Sequence, residues 1–144
     1  MDASTVFQQF PVELAYQFGS SVQGRTGPMS DLDVAVLASP SVKQEEYLKL
    51  QVDLLCALDA VFPASPVDLV LLNQAAPLLC YEVIREGRLL FAKDEPIRIA
   101  FEQRVLQEYL DTAYLRRVQY QALLARLEDG ALGDPSRVYF IQAE

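Results

Sequence analysis

Two aspartates separated by one residue stand at the head of an apolar run, Asp31 and Asp33 in "SDLDVAVLAS". In a strand successive side chains point to opposite faces, so residues i and i+2 share one and these carboxylates project together. Like charges that close are mutually unfavourable unless a cation lies between them or one takes up a proton. Oxygen ligands on one face suit a hard divalent ion such as Mg²⁺, with water and substrate phosphates completing its shell. A third acid, Asp68, sits in the apolar run "PVDLVLL". If the two strands are neighbours, Asp68 joins the pair. Three carboxylates can hold two ions for in-line displacement at phosphorus, or two can bind metal while the third deprotonates an attacking hydroxyl.

Upstream of the acids lies Gly19-Ser20, with ten residues between Ser20 and Asp31. Gly19 lets the backbone turn and approach a ligand closely, and the Ser20 hydroxyl with nearby N–H groups can hold nucleotide phosphates over the carboxylates. Gly24, Gly27 and Pro28 shape the loop between. A Gly-Ser pair alone is most often a turn, and an Asp-X-Asp alone is often a solvated strand end. Four such residues at fixed spacing, each at a usage of about 6–7%, coincide in roughly one chain of this size in several hundred. Asp68 adds to this, because a carboxylate buried in a strand without a partner costs on the order of several kcal/mol.

The elements that must position these groups follow from the apolar pattern. After a short helical start interrupted by Pro11, "VELAYQF" (12–18) reads as a strand ending at Gly19, and "DVAVLAS" (33–39) as a second. Residues 42–62 read as a helix with Leu48, Val52, Leu55, Leu58 and Phe62 on its apolar stripe and Ser41 at or near its cap. "VDLVLL" (67–72) has the continuous apolar character of a strand covered on both faces. A helix over 76–87 closed by Gly87 and a strand "RLLFA" (88–92) follow. From Pro96 to about Asp129 a stretch without further glycine or proline predicts one long helix or two abutting ones, on the order of 50 Å at 1.5 Å per residue. On it Leu106, Leu110, Ala113, Tyr120, Leu124 and Leu127 share one broad face, beside Tyr109 and Tyr114. Packing of that face on the sheet is the ordinary reading, and a partner surface the other. The tail "SRVYFIQAE" is apolar and has no assigned place. The fold class is α/β (α+β): a small mixed sheet with flanking helices and a long carboxy-terminal helix.

Composition narrows the chemistry. The chain has 144 residues, about one domain's worth, with 12 Lys and Arg against 20 Asp and Glu and a net charge of −8. The basic residues do not cluster, and Arg116 with Arg117 make a pair rather than a patch, so direct nucleic-acid binding is not expected. There is no histidine, and Cys56 and Cys80 stand far apart in apolar surroundings. Zinc sites and histidine-dependent bases are therefore excluded. No apolar run reaches the roughly 18–20 residues of a membrane span, and the amino terminus lacks the order of a signal peptide. The expectation is a soluble cytoplasmic protein.

Gly19-Ser20, Asp31-X-Asp33 and the strand acid Asp68 resemble the nucleotidyltransferase superfamily that includes DNA polymerase β and kanamycin nucleotidyltransferase. In particular the chain resembles the minimal nucleotidyltransferases, the MntA antitoxins of HEPN–MNT (type VII) toxin–antitoxin systems. The similarity extends through "VDLVLLNQAAPLLCYEVIREGRLLFAKDE" (67–95) and "FEQRVLQEYLDTAYLRR" (101–117). It implies a nucleotidyltransferase domain over 1–95 and a helical extension and tail over 96–144 of the same compact unit. It further implies transfer of AMP from ATP, with Mg²⁺, to a tyrosine hydroxyl of a partner HEPN ribonuclease toxin, which is thereby neutralised. Carried over by position, Asp31 and Asp33 are metal ligands, Asp68 is the third carboxylate as ligand or general base, and Gly19, Ser20 and Ser30 hold the nucleotide. Members often carry an arginine before the loop glycine where this chain has Gln23. Either Arg25 replaces that charge or phosphate binding is weaker.

Two other readings compete. Aminoglycoside-type small-molecule nucleotidyltransferases usually add a larger acceptor domain, and only about 50 residues follow the last strand here. An antitoxin acting by binding alone would use the apolar face of the long helix.

Overall fold

The computed structural model describes residues 2–19 and 31–129. The chain divides into two compact units, Met1–Leu106 and Gln107–Glu144. The first begins with α1 (Ala3–Gln8), whose Asp2 cap accepts the Thr5 N–H at 2.9 Å. Strands β1 (Val12–Phe18) and β2 (Leu32–Ala38) follow. A 3₁₀ turn (Gln44–Glu46) leads into α2 (Tyr47–Val61), then β3 (Val67–Leu71), α3 (Pro77–Glu86), β4 (Arg88–Ala92) and α4 (Glu95–Glu128).

The sheet is mixed, in the order β3-β2-β1-β4. Strand β1 runs antiparallel to β2 and β4, and β2 runs parallel to β3. A parallel pair needs a crossover, and α2 supplies it. Strand alternation then sorts the core into two layers. On one face Val34, Val36 and Ala38 pack with Val6 and Phe7 of α1 and with Leu50, Leu54 and Leu58 of α2. On the other, Leu14, Tyr16, Ala35 and Leu37 pack with Cys80 and Val83 of α3 and with Phe101 and Val105 of α4. The small mixed sheet with flanking helices expected from the sequence is therefore the observed architecture.

Three polar contacts fix the frame. The Leu32 N–H donates to the Pro66 carbonyl at 2.7 Å where β2 and β3 begin. At the other end, the Asn73 side chain accepts the Ala38 N–H at 2.8 Å and donates to the Ala38 carbonyl at 3.1 Å. The Tyr16 hydroxyl donates to Glu102 at 2.7 Å, and Arg98 holds the same carboxylate through both oxygens at 3.2 Å. Burial and then the Glu102 carboxylate push the Tyr16 phenol well above its usual range, so it remains a donor.

Three expectations are corrected. Helix α2 buries Leu50, Leu54 and Leu58, whereas Leu48 and Val52 are 72% and 51% exposed. Leu48, Val52 and Leu55 recur at helical spacing just as Leu50, Leu54 and Leu58 do, so periodicity announces a helix without choosing its core face. Ser41 does not cap it: the turn opens at Lys43, whose N–H is taken by Glu46 at 3.0 Å, while Ser41 pairs with Ser39. The broad face of α4 is not buried either, because its core residues are Phe101 and Val105, while Leu106, Leu110, Tyr120, Leu124 and Leu127 are exposed.

The choice of face on α2 is measurable. Leu54→Ala should lower unfolding free energy by about 2–5 kcal/mol. Leu48→Ala and Val52→Ala should each stay within about 0.5 kcal/mol in the same denaturant titration. Equal losses at positions 48 and 54 would contradict the observed packing.

Candidate active site

Asp31 immediately precedes β2 and Asp33 is its second residue. Across the parallel pair Asp33 is in register with Asp68, and across the antiparallel pair it faces Phe18. Residues in register on adjacent strands share a face, so Asp33 and Asp68 stand side by side on the face covered further along by α3 and α4. Phe18 hands the chain to Gly19, which has a positive φ of 83°. A Cβ at that position would lie 2.3 Å from the Asp33 Oδ2. Glycine is thus required twice over, for the left-handed backbone and for the carboxylate against it.

Asp33 is half-buried, and Asp31 and Asp68 are exposed. Burial first, then the charge of Asp68 and then that of Asp31, hold the Asp33 carboxyl above its ordinary value of 3.8. Among the described residues no three acidic or thiol side chains converge on one point. The donor set consists of carboxylate oxygens on one sheet end, with a charge that an added cation would relieve. These residues fit a hard divalent ion.

Asp68 requires a correction. Strand β3 is an edge strand among the described residues and is fully buried at Leu71 alone, and Asp68 is exposed. The cost of burying it therefore has no bearing, and its register with Asp33 is what marks it. Ser20, Gln23, Arg25 and Ser30 lie outside the described residues. A hollow of about 430 Å³ beside Phe7, Phe10, Phe91 and Lys93 has no carboxylate in its wall. The acids, rather than that hollow, locate the chemistry. Sequence reasoning found Gly19 as a turn former but missed its contact with Asp33, which only strand pairing creates.

A mixed sheet with acids at the adjoining ends of two parallel strands, behind a glycine turn, is the scaffold of a nucleotidyl-transferring enzyme. The sequence profile of the polymerase β nucleotidyltransferase family matches residues 3–96, and the chain belongs to that family. It is similar to the protein adenylyltransferase MntA of Shewanella oneidensis, with 37% identity over 84 residues, 58% of this chain and 57% of that relative. The match thus spans little more than half of the relative's length. Among solved structures, the chain is similar to one from a toxin–antitoxin complex with AMP-PNP, at TM-score 0.68 and 25% identity, covering 83% of this chain and 94% of that one. It is also similar to a chain of the complex between tri-AMPylated Shewanella oneidensis HEPN toxin and MNT antitoxin, at TM-score 0.60 and 25% identity, covering 83% and 91%.

Two substitutions test the site. Gly19→Ala should lose about 1–2 kcal/mol from the backbone alone, seen as a lowered denaturation midpoint. Asp33→Asn should act oppositely. A carboxyl raised by folding makes ionisation unfavourable in the native state, so stability falls as pH rises from 3.8 through the raised folded value and stays reduced above it. Asp33→Asn should therefore melt higher than the unaltered protein at neutral pH, and the gap should close in acid below that window. A gap that widens in acid would contradict the site's electrostatics.

Proposed function

We propose that this protein is an antitoxin adenylyltransferase that transfers AMP from ATP to a tyrosine of a partner HEPN ribonuclease toxin in the cytoplasm. The observation that carries the proposal is the Asp33–Asp68 register behind Gly19. Similarity to the protein adenylyltransferase MntA supports it, as do the AMP-PNP and tri-AMPylated toxin complexes among the similar structures. In this reading residues 1–95 carry the transfer chemistry and 96–144 form an extension.

Asp31 and Asp33 would hold Mg²⁺, with Asp68 as the third carboxylate. A bound Mg²⁺ supplies positive charge that offsets the charge of the triphosphate and of the leaving group. Gly19, Ser20 and Ser30 position the phosphates. The acceptor phenol oxygen forms a bond to the α-phosphorus as the bond from that phosphorus to the bridging oxygen breaks, and pyrophosphate leaves. The phenol proton passes to the Asp68 carboxylate or to solvent. Neutralisation by binding alone is the second reading, favoured by the exposed apolar side chains of α4 such as Tyr114, 73% exposed.

Incubation with ATP labelled at the α-phosphate, Mg²⁺ and the product of the adjacent gene should label that product. Asp31→Ala with Asp33→Ala should cut the rate by at least ~10²-fold, the scale on which electrostatic groups at a reacting centre act. Undiminished labelling by the double variant would overturn the assignment. Absence of labelling together with full neutralisation by that variant would favour binding alone.

A further inference from the structure

The outer face of α2, which the core does not use, carries apolar Leu48 and Val52 beside the exposed Lys49–Asp53 ion pair. Leu48 and Val52 are exposed, while Leu50, Leu54 and Leu58 pack inward. Together with Leu55 they wall a groove of about 240 Å³ whose other side is Val67, Asp68 and Leu69 of β3. The groove therefore follows β3, and Asp68 is among its lining residues while its side chain belongs to the face of Asp33. Among the described residues strand β3 pairs only with β2, and its other edge carries no strand.

Position decides what this groove would receive. Side chains of β3 alternate, Val67 and Leu69 towards α2 and Asp68 towards the face of Asp33. A polypeptide lying along the open edge would alternate in the same way. A side chain entering the groove between Leu48 and Val52 turns its sequence neighbour over the edge towards Asp68. An apolar residue beside a hydroxyl-bearing one thus meets both halves of the surface.

We propose that Leu48, Val52 and Leu55 with the open edge of β3 form the docking groove for the acceptor protein, which lays an apolar side chain there and presents its neighbouring hydroxyl to Asp68. The proposal rests on the adenylyltransferase reading above. The groove sets recognition of the acceptor, and the carboxylates set the chemistry.

Leu48→Ser with Val52→Ser tests it, since both residues are exposed and the core is untouched. Initial rates of AMP transfer are measured over a range of concentrations of the adjacent gene's product, and the melting shift caused by Mg²⁺ with AMP-PNP is measured in parallel. The double variant should raise KM for the acceptor at least tenfold while kcat and the melting shift stay at the unaltered values. An unchanged KM, or a fall in kcat alone, overturns the docking role while the enzyme reading stands. Failure of the unaltered protein to transfer AMP overturns the enzyme reading, and the groove's role falls with it.

Discussion

The structure depends on the register between β2 and β3. It sets Asp33 beside Asp68, two like charges on adjacent strands, with Asp31 close by. A slip by one residue would send Asp68 to the opposite face, because side chains alternate with a period of two. The register is held at both ends, by the Leu32–Pro66 backbone bond and by the two bonds from Asn73 to Ala38. Between them the alternating apolar residues of β2 are buried on both faces. The repulsion of the acids is thus imposed by hydrophobic layers that have no other way to pack.

Gly19 belongs to the same constraint. Its left-handed turn begins where β1 runs out opposite Asp33, and its missing side chain is the space the Asp33 carboxylate occupies. The glycine and the acid are two sides of one contact, and a side chain added at Gly19 would have to displace the Asp33 carboxylate. Placing a partly desolvated carboxyl among its own kind lowers the stability of the folded state. Local conflicts of this kind are characteristic of functional sites.

Much of this was legible in the residues. The boundaries of β1 and β4 and the helix ending at Gly87 follow from strand alternation, from Pro11 and Gly19, and from helix-stop signals. Asp31 and Asp33 were legible through spacing alone. Three features were not. The face of α2 was hidden because Leu48, Val52 and Leu55 have the same helical spacing as Leu50, Leu54 and Leu58, so only the sheet decides between them. The exposure of Asp68 was hidden because "VDLVLL" reads the same in an outer strand as in a covered one. The open face of α4 was hidden because helical spacing marks an apolar stripe without naming what covers it. Each miss concerns a partner distant in sequence, which local pattern does not contain.

The central claim is that the paired strand acids carry out nucleotidyl transfer to a protein hydroxyl. Tandem mass spectrometry of the adjacent gene's product, after incubation with ATP, Mg²⁺ and this protein, tests it most directly. AMP on a tyrosine is expected when the unaltered protein is used, and an unmodified product when Asp33→Asn is used. AMP on that tyrosine in equal yield from both proteins would contradict it.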